Sequence, residues 1–144
     1  MKLFTIGFTQ KSAEEFFTLL KKAGAHRIVD IRLNNTSQIA GFAKARDLEY
    51  FLRAINGIDY LHLPNLAPTQ EILDGLKKNK GSWAEFESQF KELIVDRRID
   101  ETVAEALREN DCLLCSEPTP EHCHRRLVAE YLQERLGNIE VIHL

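Results

Sequence analysis

No apolar run in the sequence approaches the roughly 20 residues that a helix needs to cross a bilayer, so a membrane role is not expected. Positive charge is not in excess either. The 19 Lys and Arg against 22 Asp and Glu give a formal net charge of -3 and a pI near 6.0. That balance excludes the uniformly basic surface behind strong non-specific nucleic-acid binding, so contact with a polyanion would have to be local. Cysteine is scarce: Cys112, Cys115 and Cys123 are the only three, an odd number confined to one short stretch. They form no disulfide framework, and the opening MKLFTIGF lacks the apolar core of a secretion signal, so a reducing cytoplasm is the expected setting. Internal repeats and low-complexity segments are absent as well.

What is present is an ordinary globular composition, 44% hydrophobic and 28% charged over 144 residues, which needs no disulfide or metal staple to fold. A chain of this length suits a single domain spanning 1–144 that buries roughly two-thirds of its unfolded surface. Short β-branched runs alternate with segments of helical period, which predicts a single three-layer Rossmann-like α/β domain: a mainly parallel sheet of about five strands flanked by helices. The strands are expected at Lys2 to Ile6, Arg27 to Ile31, Asp59 to Leu63, Asp111 to Cys115 and Glu140 to His143. DCLLC, the fourth, has no polar alternation and should be central, covered on both faces.

Helix signals are clear. Ser12 with Glu15, and Ser82 with Glu85, read as capping boxes, and Gly24 as a left-handed stop. Phe16, Phe17, Leu19 and Leu20 form one buried stripe. Trp83, Phe86, Phe90, Leu93 and Ile94 form another, read as core and not as a base-stacking platform. Further helices are expected at Asp47 to Gly57, Gln70 to Lys77 and Asp100 to Glu109. Leu33 to Arg46 is longer than a usual strand-to-helix loop, and reads equally as a lid or binding loop or as an extra short helix around Ile39 to Ala45.

In an open parallel sheet, ligands bind outside the carboxyl ends of the strands. Gly7 and Thr9 follow the first strand, Asp30 and Arg32 end the second, His62 lies at the third, and Cys115 and Glu117 follow the fourth. The densest stretch is CSEPTPEHCHRR, residues 115 to 126, in which Thr119-Pro120 reads as cap and first residue of a helix. Projected at about 100° per residue, His124 points inward with Leu127, Val128, Tyr131 and Leu132, Arg125 sits on the shoulder, and His122 and Arg126 face solvent. Three consecutive helical residues cannot all aim at one ion, and C-x2-C pairs are missing, so no zinc or other metal is expected from Cys115, His122, Cys123 and His124. A Cys115–Cys123 disulfide is within reach but in a reducing compartment would be regulatory or catalytic.

Cys115 facing a helix N-terminus, with Arg or His nearby, is how a cysteine nucleophile is prepared; Cys115 as a small buried residue is the equally weighted alternative. For Arg32 the alternatives are an ion pair with Glu117 or direct ligand contact. Cys112, early in its strand, is expected to behave as a core residue.

With those residues in hand, the chain resembles the DUF488 family. The resemblance rests on TIGFT (Thr5 to Thr9), VDIR (Val29 to Arg32), YLHLP (Tyr60 to Pro64) and C-x-E-x-x-P-x-x-C-H-R, here Cys115, Glu117, Pro120, Cys123, His124 and Arg125. It implies an α/β fold and marks those positions. It brings no established activity, and LNNTSQIAGFAK after VDIR departs from the Ser-, Pro- and Arg-rich loop of many members.

The expected function is binding of an anionic small molecule, a nucleotide or phosphate ester, at the strand ends. Gly7, Thr9, Asp30, Arg32 and His62 are its candidate ligand-binding residues. In a catalytic version Cys115 is nucleophile, His124 or Glu117 acid or base, and Arg125 with Arg32 the anion clamp; the phosphatase spacing of cysteine, five residues and arginine is missing. No cofactor is expected. The alternatives are a nucleic-acid accessory protein using Lys44, Arg46, Arg125 and Arg126, or a structural, protein-interaction module.

Overall fold

A computed structural model of the chain describes residues 1–36 and 41–144. Five strands, β1 (Lys2–Gly7), β2 (Arg27–Asp30), β3 (Asp59–His62), β4 (Asp111–Cys115) and β5 (Glu140–His143), form one sheet in the order β3-β2-β4-β1-β5. Every neighbouring pair is parallel, so the sheet is wholly and not just mainly so. β4 is central as its composition requires, buried at all five positions and hydrogen-bonded to β1 and β2.

The two-residue period of the strands divides the core. Leu3, Val29, Ile31 and Leu113 face one side, where they meet α4 (Trp83–Asp96), the short α5 (Ile99–Thr102) and α6 (His124–Leu136). Phe4, Ile6, Ile28, Cys112 and Leu114 face the other, under α1 (Ala13–Ala23) and α2 (Ala45–Phe51). The result is a three-layer α/β arrangement with an open sheet. α3 (Gln70–Lys77) buries none of its residues fully and lies against α4, lending Ile72, Leu73 and Leu76 to the first cluster. No helix among the described residues is long and apolar enough to cross a membrane.

The caps work as the sequence predicts. Ser12 Oγ accepts from Glu15 N at 3.1 Å and Ser82 Oγ from Glu85 N at 3.1 Å, while Gly24 ends α1 at φ 77° with its N–H on the Leu20 and Lys21 carbonyls. Replacing Ser12 by alanine leaves that helix-end N–H without its partner and is expected to cost about 1 kcal/mol, read as a lowered urea midpoint at unchanged m-value.

Two expectations need correction, and a third is met in part. The predicted helix over Asp47 to Gly57 is α2 continued by a wider π-helical stretch at Leu52–Asn56. The segment Asp100 to Glu109 is helical only in α5. After β2, the chain forms a 3-10 turn at Gly41–Ala43, and the remainder of the expected lid or short helix, residues 37–40, lies outside the described residues. One buried pair went unforeseen: Arg27 on β2 and its register partner Asp111 on β4 form a bidentate bridge at 3.0 and 2.7 Å, which pins the amino ends of the two strands.

Candidate functional site

The helices after β1 and β4 lie on opposite faces of the sheet, which makes the carboxyl ends of these adjacent strands the place where a ligand crevice opens in such folds. Here the chain fills that crevice itself. The loop after β4 lays three successive carbonyls into it: Ser116 O accepts from Thr9 N (3.1 Å) and from the Thr9 hydroxyl, Glu117 O from Arg125 Nη1 (2.7 Å), and Pro118 O from Lys11 Nζ (3.4 Å). Gly7 is the floor under this loop, since a Cβ there would overlap the Glu117 carbonyl oxygen. Gly7 and Thr9 therefore hold protein backbone. Arg125 is wholly buried, holds Glu117 O and the Thr5 hydroxyl (3.3 Å), and has no carboxylate partner among the described residues. Burial lowers the pKa of its guanidinium, and also that of the nearby Lys11 ammonium, from their ordinary values.

The polar cluster one strand over is built differently. β2 ends at Asp30, the chain turns, and Arg32 folds back so that its Nε (2.9 Å), Nη2 (2.8 Å) and backbone N (3.1 Å) all reach the Asp30 carboxylate. The expected partner Glu117 is thus not the one used. Tyr60 OH adds a 2.5 Å bond to Asp30, His62 Nε2 donates to Arg32 O at 2.9 Å, and the Phe8 ring lies under the guanidinium at 5.2 Å. Burial raises the Asp30 carboxyl, but the hydrogen bonds and charge of Arg32, joined by Tyr60, outweigh it and hold the pKa below the ordinary aspartate value. Arg32 is 2% exposed, and its remaining nitrogen, Nη1, is buried and has no partner among the described residues.

The third group contains the sulfurs. The expected helix start at Thr119-Pro120 is not formed: residues 116–123 run as turns and bends, and α6 begins at His124. Cys123, at the cap position, has extended dihedrals (φ -136°, ψ 140°), so its side chain and that of His124 both turn toward Cys115. Cys115 and Cys123 are joined as a disulfide, the pairing the sequence left within reach, and Cys115 Sγ lies 3.3 Å from His124 Nδ1. His124 Nε2 lies 2.7 Å from the Ile31 carbonyl; a carbonyl only accepts, so Nε2 carries the proton. Burial pushes the His124 pKa down to about 4, so the ring is neutral near pH 7 and Nδ1 presents a lone pair to the sulfurs. Cys112, on the opposite face, is fully buried, and burial pushes its thiol pKa up.

A cleft of about 290 Å³ opens between these groups, with Arg32, Cys115, Glu117, Cys123 and His124 on one side and Lys77, Trp83 and Phe86 on the other. Of the residues expected to act in catalysis, Cys115, Glu117 and His124 line it and Arg125 does not; of those expected to bind ligand, Arg32 lines it. Gly7, Thr9, Asp30 and His62 lie behind the wall and support it through the contacts above. The far wall was missed by sequence reasoning. Trp83 is only half-buried and stacks on His122 with ring centroids 5.0 Å apart; His122 is exposed, as expected, and sits at the cleft rim. The proposed basic patch does not assemble: Arg125 is buried and Arg126 pairs with Glu130 at 3.1 Å, leaving Lys44 and Arg46 without them.

The model of the family described as Domain of unknown function DUF488 matches residues 12–132, most of the chain. The chain belongs to that family. No curated protein and no solved structure matches it.

Proposed function

We propose that this DUF488 protein binds an anionic small molecule, a phosphate ester or nucleotide, in the cleft between the ends of β2 and β4 and the helices α3 and α4. The observation that carries the reading is Arg32. Its guanidinium is buried, locked by Asp30 through Nε and Nη2, and left with a buried Nη1 that has no partner among the described residues, on a residue that lines the cleft. Because Asp30 cancels its charge, Arg32 contributes orientation more than attraction: one preorganised charge-assisted hydrogen bond, worth about 1.5–3 kcal/mol when made. The exposed Lys77 across the cleft adds a cation opposite the Glu117 carboxylate of the near wall, and Leu73, Leu76 and Trp83 give the body of the ligand an apolar wall. A reducing cytoplasmic setting goes with this reading.

The sulfur geometry favours binding over nucleophilic catalysis. Cys115 Sγ is bonded to Cys123 Sγ and borders a neutral imidazole, with Arg125 directed to the Glu117 carbonyl instead of a bound anion. Trp83 is the only tryptophan, so its fluorescence reports on the cleft without interference. Titration with inorganic phosphate and with nucleoside mono- and diphosphates is expected to give a saturable change. Arg32→Lys, which keeps a cation for Asp30 but loses the fork, should weaken binding about tenfold or more, and Lys77→Ala a few-fold with a shallower salt dependence. No saturable response to any of these probes at roughly millimolar concentration would overturn the reading.

A further inference from the structure

The Cys115, Cys123 and His124 cluster shares the cleft wall with Arg32, but its donors are of another kind. We propose that Cys115 Sγ, Cys123 Sγ and His124 Nδ1 bind one zinc ion, with the fourth position open to the cleft.

The objection from sequence was that consecutive helical residues cannot converge on an ion. It fails because Cys123 is extended, not helical: Cys123 and His124 turn inward while His122 turns out to Trp83. The three donor atoms lie within 4.8 Å of one another, on residues 4%, 2% and 8% exposed. Two thiolates and an imidazole suit zinc, and three protein ligands with one open position is the arrangement of sites that hold water or a small ligand. The second sphere is in place as well. Metal-bound histidines donate their other ring N–H to a carbonyl or carboxylate, and the Nε2–H of His124 is held by Ile31 O at 2.7 Å, which fixes the tautomer that leaves Nδ1 free to ligate. The Phe90 ring meets His124 edge-on, with centroids 5.4 Å apart, and limits its rotation.

Backbone spacing points the same way. The Cα atoms of Cys115 and Cys123 are 7.1 Å apart, just beyond the usual span of a disulfide, about 4.4–6.8 Å. A tetrahedral zinc with bonds of about 2.3 Å stands between sulfurs about 3.8 Å apart, so an ion bridges this backbone with less closure than a covalent bond requires. The balance has two stages. A thiol or phosphine reductant supplies two electrons to open the Cys115–Cys123 disulfide into two thiols. These then give up their protons to solvent as two Zn–S bonds form, the neutral imidazole adding a third with no change in the oxidation state of the metal. Zinc with two thiolates is neutral overall, which suits a buried site.

The test uses the full chain, reduced with a phosphine under anaerobic conditions, loaded with zinc or cobalt(II) and passed through a desalting column. About one zinc per chain is expected. The cobalt form should show thiolate-to-metal charge transfer in the near ultraviolet and the intense visible bands of four-coordination. Both signatures should vanish in Cys123→Ser and survive in Cys112→Ser and His122→Ala, whose residues lie outside the cluster. Should Cys123→Ser fail to fold, the wild-type cobalt spectrum decides alone. The proposal is overturned by a reduced, folded chain that retains no zinc, by a pale cobalt spectrum without thiolate charge transfer, by metal retained in Cys123→Ser, or by a chain whose mass stays two hydrogens short after reduction and takes up no ion.

Discussion

Replacing Gly7 by alanine is expected to destabilise the fold by about 3 kcal/mol or more, at the upper end of what one added methyl group costs in a packed interior. The cause is steric and lies in backbone. Gly7 does not have a positive φ, so the new side chain meets no conformational penalty of its own. Its Cβ, however, would overlap the Glu117 carbonyl oxygen and sit 2.7 Å from the carbonyl carbon and 2.9 Å from Arg125 Nη1. A flexible side chain could yield, but this loop cannot do so cheaply. Shifting it disturbs the bonds from Thr9 to Ser116 O, from Arg125 to Glu117 O and from Lys11 to Pro118 O together, and the Arg125 guanidinium is buried with few other acceptors. Gly75→Ala is the matched control. Gly75 lies inside α3 with nothing near its Cβ position, so alanine there should raise stability by up to about 1 kcal/mol through helix propensity alone. Urea unfolding of the two variants beside the parent checks both signs, and equal, small effects would mean that the loop is loosely held.

The same loop shows what the sequence makes legible and where it stops. β4 could be read because DCLLC admits no solvated face, and the starts of α1 and α4 because Ser12 and Ser82 stand three residues before a glutamate. These are local signals, and the structure obeys them. The gathering of polar residues at the strand ends follows from the βα alternation, which is why Arg32, Cys115, Glu117 and His124 could be named before their positions were known. The far wall could not be found this way, because Lys77 and Trp83 reach the cleft only when α3 and α4 fold back over the end of β2, and nothing near them in sequence announces it.

Two misreadings have a common origin in assumed regularity. Extending the helix back to Pro120 made Cys123 helical, whereas the chain stays irregular through residues 116–123 and swings that side chain onto Cys115. Treating Arg32 as a strand residue hid its partner: once β2 stops at Asp30, an aspartate two residues upstream becomes the natural acceptor of a turn, for backbone and side chain together. Polar residues at the ends of elements organise the turn first, and a sequence pattern alone does not separate that work from ligand contact.

That pair is the subject of the second large effect. Asp30→Asn is expected to cost about 3–5 kcal/mol, the usual consequence of leaving one charge of a buried pair uncompensated. Asp30 is fully buried and takes bonds from Arg32 Nε, Nη2 and backbone N and from Tyr60 OH, and asparagine offers one acceptor oxygen and no charge in exchange. Adding Arg32→Met to Asp30→Asn removes the stranded guanidinium and should recover a large part of the loss. The double-mutant cycle then isolates the coupling from the packing of either side chain. The pH dependence follows with a definite sign. The folded-state pKa of Asp30 is depressed, so the carboxylate binds its proton less readily folded than unfolded. Its contribution is fully present above the unfolded value near 3.9 and is lost as pH falls below that toward the folded pKa. Stability of the parent measured between about pH 6 and 3 should therefore fall at the acid end, with a component absent from Asp30→Asn. If the two chains lose stability in parallel over that range, or if Arg32→Met fails to offset Asp30→Asn, the pair does not hold the turn after β2, and the Arg32 guanidinium loses the partner that fixes it at the cleft wall.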